Sequence, residues 1–186
     1  MNNDFLKKIL LVSLLCLLAV GVGSCISIAR AKYERTVQLS APLSPGSNFT
    51  ALTHNGSITI AGADVVDCNL TATIVGRART EEGAKKIAEQ TTIKLIPSAN
   101  KLTVKIDKPK FKFSQSVSVS LDVTIPDNAD LELTTHNGAL VITNITGRIN
   151  STTHNGKITA EQVSGATELI HITAQSFAEK FQVIQN

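Results

Sequence analysis

The sequence predicts an all-β fold: a single-domain β-solenoid or β-helix-like stack with 18-residue coils and one short α-helix packed on it. Three observations predict it. The tetrapeptide Thr135-His136-Asn137-Gly138 returns 18 positions later as Thr153-His154-Asn155-Gly156, and an earlier copy stands at Thr53-His54-Asn55-Gly56. Aligned on their glycines, the copies repeat their apolar positions. Two residues on come Ile58, Leu140 and Ile158, and four on come Ile60, Ile142 and Ala160. In the adjacent copies Ile145 and Val163 also match, as do Gly147 and Gly165. Finally, from Phe49 onward nearly every segment is rich in Thr, Val and Ile with turn residues between. A period near 18 is too short for an independent domain and suits a coil of a β-solenoid. In such a stack equivalent residues lie ~4.8 Å apart and form ladders. Asn-Gly would supply positive φ at each corner. Asn-Gly is also the preferred two-residue hairpin turn, so a meander of hairpins is the rival architecture. That rival does not explain why adjacent copies agree at so many offsets.

The elements follow in order. Residues 1–24 read as a lipoprotein signal peptide: Lys7 and Lys8, then the apolar run Ile9–Val22, too short for the ~20 residues of a spanning helix. Val22-Gly23-Ser24-Cys25 resembles a bacterial lipobox, which makes Cys25 the lipidated new N-terminus. Residues 25–47 read as a tether ending in "SAPLSPGS", and 48–169 as the folded domain. "NLTATIVG" (69–76), "KLTVKID" (101–107) and "SVSVSLDVTIP" (116–126) alternate apolar and polar residues, as half-buried strands do. The helix is expected over about 81–91. Thr80 is its cap, Glu81 and Glu82 sit at the positive end of its dipole, and Ala84, Ile87 and Ala88 form its apolar stripe. Gly83 weakens it, so it must lean on the sheet.

Residues 170–186 form an atypical tail. The repeat calls for a fourth Thr-His-Asn-Gly with its histidine near 172, yet the chain reads "LIHITAQSFAEKFQVIQN". The codons of Ile170 to Ala174, taken out of frame, permit Thr-His-Asn-Gly, and the Gln182/Val183 junction permits the glycine nine further on. The tail therefore reads as a frame slip near Leu169 or Ile170, with a natural divergent cap as the alternative. A slip would leave the last coil with an unpaired edge and a route to self-association.

The formal charge of +3 is too small to argue for nucleic acid, and no aromatic-basic interleaving supports it. Aromatic residues are 4% of the chain and tryptophan is absent, which weakens a sugar-stacking platform. Once Cys16 leaves with the signal and Cys25 carries lipid, Cys68 remains, a lone thiol among apolar residues that reads as buried and inert. Ladders of His54, His136 and His154 could in principle chelate zinc or sense pH. No carboxylate or thiol recurs at a fixed offset to complete a ligand set, so they read as repeat-turn residues, with no metal and no cofactor. No serine sits in a nucleophile elbow and no glycine loop cradles phosphate. Glu81-Glu82 and Asp127/Asp130 read as helix-start and turn residues, so no catalytic residue is assigned.

The lipobox, the helix-and-strand stretch "TEEGAKKIAEQTTIKLIPSANKLTVKI", the strand into "VTIPDNADLEL" and the tandem "T-x-N-G-x-I" units together resemble the bacterial putative-adhesin family, over about residues 35–168. That family is a domain of unknown function with a β-solenoid-like fold, and the resemblance brings no catalytic residues. It implies an exported, non-enzymatic lipoprotein, held to the cell envelope by its N-terminal lipid (at the outer membrane in a Gram-negative cell). An extended β face would meet a surface glycan or protein. The alternative is an envelope structural or signalling component without an extracellular ligand. A hydrolase or lyase on the same scaffold would need clustered acids, which the sequence lacks.

Overall fold

The computed structural model describes residues 31–111, 114–171 and 181–184. The signal peptide and Cys25 lie outside these residues. Among these residues thirteen strands and one helix follow one another. They begin with β1 (Ala31–Pro42), β2 (Asn48–Asn55), β3 (Ile58–Ala63), β4 (Asp67–Ala78) and α1 (Glu81–Gln90). Next come β5 (Thr92–Ser98), β6 (Lys101–Asp107), β7 (Ser116–Pro126), β8 (Asp130–Asn137) and β9 (Leu140–Ile145). The chain ends with β10 (Ile149–Asn155), β11 (Ile158–Val163), β12 (Thr167–His171) and β13 (Phe181–Ile184). They make two mixed sheets, one ordered β1-β4-β7-β3-β9-β11-β13 and the other β12-β10-β8-β2-β6-β5. The all-β expectation holds. A closed solenoid is not found among the described residues: there are two open sheets, and β1, β4 and β5 join them antiparallel.

The repeat register is the part of the expectation that the fold shows. Asn55 pairs with Asn137 and Asn137 with Asn155, while Leu140 pairs with both Ile58 and Ile158, all in parallel ladders. Strands joined by an Asn-Gly corner do not pair with each other; β2 and β3 lie in different sheets, as do β8 and β9. The hairpin meander is thereby excluded. Inward side chains at two-residue spacing fill one core that both sheets share. Phe49, Ile58, Ile60, Leu133, Leu140 and Ile142 are among its fully buried members. Burying each such side chain contributes about 1.5–3 kcal/mol.

Layer order is not chain order. The stretch from β4 to β7 is inserted between the first repeat copy and the second. Its last two strands add a layer on the far side of the first copy, with β6 pairing to β2 and β7 to β3. This explains why the first copy sits 82 residues from the second yet touches it directly, as the Asn137–Asn55 side-chain bond shows.

The tether expectation fails for residues 31–42. They form β1, which pairs residue for residue with β4 from Ala31↔Ala78 to Pro42↔Asp67. The alternation "AKYERTVQL" is visible in the sequence; its half-buried positions Tyr33, Val37 and Leu39 pack on the core. Arg35, on the same side, donates from Nε to the Ala88 carbonyl (2.8 Å) and from Nη2 to that of Thr91 (2.6 Å). A guanidinium thus caps the carbonyl end of α1, where the dipole is negative and the last turn carries no basic residue of its own. The rest of α1 is as expected: the Thr80 hydroxyl accepts from the Gly83 amide, and Ala84, Ile87 and Ala88 are buried.

In the tail, β12 extends the ladder on β10 with the 18-residue register intact, Ile149↔Thr167. β13 pairs with β11 through Ile158↔Phe181, a spacing of 23 where Leu140↔Ile158 has 18. The lengthening falls between His171 and Phe181, where the fourth Thr-His-Asn-Gly was expected; residues 172–180 lie outside the described ones.

Candidate functional site

The repeat-turn residues come together as three parallel rows at one end of the six-stranded sheet. His54 and His136 stack face to face, with ring centroids 4.8 Å apart and planes within 2°. His154 continues the row at 4.6 Å, tilted by 38°. Beside them runs an amide ladder: Asn137 Nδ2 donates to Asn55 Oδ1 (2.8 Å), and Asn155 Nδ2 to Asn137 Oδ1 (2.9 Å). Beneath, the buried Thr135 and Thr153 hydroxyls donate to the Gly56 and Gly138 carbonyls, each at 3.0 Å. The first two rows join equivalent positions of successive layers, and the third joins the threonine of one layer to the corner glycine of the layer before it.

The glycines are needed for a reason other than the one expected. Only Gly56 of the three corners has a positive φ, +130°. At all three, the layers approach too closely for any side chain. A Cβ would stand 2.1 Å from the Val119 carbonyl oxygen at Gly56, 2.1 Å from that of Gly56 at Gly138, and 1.9 Å from that of Gly138 at Gly156. Gly147 and Gly165 are held by the same contact at the opposite corner. Backbone stacked on backbone is what the recurring glycine records.

The histidine stack is not built to chelate. A ring nitrogen offers its lone pair in the ring plane, and the near-parallel planes of His54 and His136 cannot direct two lone pairs onto one ion held at 2.0–2.1 Å. Among the described residues no group of three His, Cys, Asp or Glu side chains could hold a metal. His54 does resist charge. Burial, the neighbouring His136 and Lys108 together hold the His54 pKa below its ordinary 6.5. Cys68 is fully buried, and burial pushes its thiol up to about 12, so it is not an activated nucleophile.

At the opposite end of the same sheet lies a shallow polar depression of about 430 Å³, lined by Asn48, Asp130, Glu132, Arg148, Asn150 and Glu168 among others. Asp130 accepts from the Arg148 backbone amide (2.8 Å) and from its Nη2 (2.6 Å), and these bonds hold its carboxyl below the usual range. Glu132 is lowered likewise by Lys101 and Thr50. Both are carboxylates tied to cations, poorly placed to act as proton donors at neutral pH. Asp130, expected as a turn residue, has in Arg148 a partner that the sequence analysis does not name. The signal was there, because Asp130 and Arg148 stand one 18-residue period apart.

The outward side of the seven-stranded sheet is broad and weakly charged. One row runs Thr71, Asp122, Thr59, Val141, Thr159 across five strands; the next runs Asn69, Thr124, Ala61, Thr143, Glu161.

No family model and no curated protein matches the chain. Several solved structures are similar to it at low identity. The putative cell adhesion protein of Clostridium sporogenes is 11% identical, with a TM-score of 0.45, over 68% of this chain and 61% of its own. A putative lipid binding protein of Parabacteroides distasonis is 10% identical, with a TM-score of 0.37, over 80% and 60%. A putative adhesin of Bacteroides fragilis is 12% identical, with a TM-score of 0.30, over 82% and 97%. The chain thus spans less than two thirds of the first two, and likeness at this level says nothing of a ligand.

Proposed function

We propose that the protein is a non-enzymatic cell-envelope lipoprotein, anchored through Cys25, whose outer β face binds a surface glycan or protein. On this reading the layers from β6–β7 to β12–β13 are a short, open solenoid, closed off at one end by β1, β5 and α1. The observation that carries it is the pair of registered rows on the seven-stranded sheet. Ten positions across five strands present mainly Thr, Asn and small side chains, with Asp122 and Glu161 as their only charges. Strands ~4.8 Å apart make such a row about 19 Å long, the scale of an extended ligand rather than of an enclosed small molecule. Hydroxyls and amides held at fixed spacing suit many weak hydrogen bonds. The resemblance of the tandem units to the adhesin family points the same way.

The test is binding of the purified protein to a glycan array and to immobilised matrix proteins. A double variant Thr59→Glu/Thr159→Glu should lose the signal, while Thr134→Glu on the other sheet should keep it. Equal binding by all three, or none by the wild type, would reject the face and leave the structural or signalling role.

A further inference from the structure

Five residues separate Cys25 from Ala31, the first residue of β1. A fully extended chain covers about 3.3–3.6 Å per residue, so a lipid on Cys25 would hold the start of β1 within about 20 Å of the bilayer. The expected 23-residue tether would have let the domain drift; the observed fold does not. Which end of the molecule then meets the membrane is fixed by pairing. Lys32 stands opposite Arg77, and Arg77 opposite Ser116, so the entry of β1, the exit of β4 and the entry of β7 share one end of the seven-stranded sheet.

That end is basic and apolar. The segment entering β7 contains "DKPKF", and Pro109, Lys110 and Gln115 border a depression against Lys86 and Ile87 of α1. Lys108 borders a second depression with Leu52, Ile96 and Ile106, where the pairing of β2 with β6 stops at Ala51↔Val104 while that of β2 with β8 runs on to Asn55. Leu52 is 61% exposed, Phe111 43% and Ile96 41%, and they are three of the four large exposed hydrophobic residues among the described ones. Asp107 engages Lys94 and Lys105, and Glu89 engages Lys85. Among the described residues no carboxylate pairs with Lys86, Lys108 or Lys110. Glu34 engages Lys32, so among the described residues Glu81 and Glu82, at the start of α1, are the acidic groups of this end outside an ion pair, against Arg77, Arg79 and those three lysines.

We infer that this end, through Lys108, Lys110, Phe111 and Leu52, is a contact surface for an anionic lipid bilayer. Projecting apolar side chains among lysines are the signature of an interfacial contact. A pocket for a free amphiphile would instead recess its apolar groups and bury most of the ligand. The inference rests on the lipid-anchor reading for its distance argument, but the charge and exposure of the surface are independent of it.

The experiment incubates the full chain with an excess of neutral phosphatidylcholine vesicles or of vesicles containing phosphatidylglycerol. A membrane-impermeant amine-acylating reagent then reads each lysine by mass spectrometry. Lys108 and Lys110 should be acylated several-fold more slowly on the anionic vesicles, and Lys101, at the opposite end of the six-stranded sheet, equally on both. High salt, or the variant Leu52→Ser/Phe111→Ser, should abolish the difference. Equal acylation on both vesicles overturns the inference, as does protection that appears only when a soluble protein extract is added. An acyl mass missing from Cys25 in the cell-derived protein would refute the anchor alone, because the vesicle comparison does not depend on it.

Discussion

His54 is where the stack makes a single residue sensitive to its neighbours. Its pKa lies below the ordinary 6.5 because burial, then His136, then Lys108 each oppose its proton. The unfolded chain therefore binds more protons than the folded one between that depressed value and 6.5. The contribution to stability is complete above 6.5 and is lost as pH falls through this window. Asp130 and Glu132 also lose stabilisation in acid, but their ordinary values are 3.8 and 4.5, so they act at lower pH. Urea-denaturation midpoints taken from about pH 7.5 to about pH 5.5 should fall for the wild type. His54→Gln should flatten that decline; parallel profiles would mean that His54 carries no proton linkage. The identity of the three histidines was legible in the sequence, and so was their alignment. The influence of the Lys108 charge on His54 was not, because Lys108 follows β6, the strand that the insertion lays beside β2 out of chain order.

At the scale of the element, the corners explain themselves by distance. A strand in the middle of the stack meets a neighbour on each side, and at the corners the backbones close to within a carbonyl's reach. Gly138 sits with its missing Cβ 2.1 Å from the Gly56 oxygen, well inside any contact a real Cβ makes. Gly138→Ala must push two layers apart, a strain of about 1–3 kcal/mol in a packed interior. Gly46 offers the contrast, for it has φ +75° but no atom within 4 Å of its hypothetical Cβ. Thermal and chemical denaturation should show the loss at Gly138, with the far-UV spectrum unchanged. A neutral Gly138→Ala would show that the layers can separate at no cost, and the shared glycine would then need another reason. From sequence, Asn-Gly suggested positive φ because that is its common use in isolated turns. The contact that matters here is between residues 82 apart, which no local rule reports.

For the molecule as a whole, the tandem copies made the core rows and the parallel register readable in advance, since identical offsets from a shared corner leave few other arrangements. Two features escaped. β1 looked like a tether because its apolar positions are modest and it lies beside a presumed cleavage site. Its partner β4 is brought to it only by the fold. The insertion of β4 to β7 escaped because nothing in a chain reports that a later segment packs on the earlier side of a repeat. Among the described residues this makes the molecule lopsided: one end is covered by α1 and the antiparallel pairs β1–β4 and β5–β6, while the other ends on β12 and β13. In a stack where each layer contacts only its neighbours, stability accumulates toward the centre and frays from an uncovered end. Amide hydrogen exchange should therefore be slowest in β7 and β3, slower in β9 than in β11, and fastest in β12 and β13. The helix end supplies the control, because Arg35 and the buried stripe of α1 tie β1 and β4 together, so β4 should exchange as slowly as the interior strands although it lies next to an edge. A flat profile across β3, β9 and β11 would mean that the layers unfold as one cooperative block. The near-identical units would then owe their register to the whole molecule rather than to their neighbours.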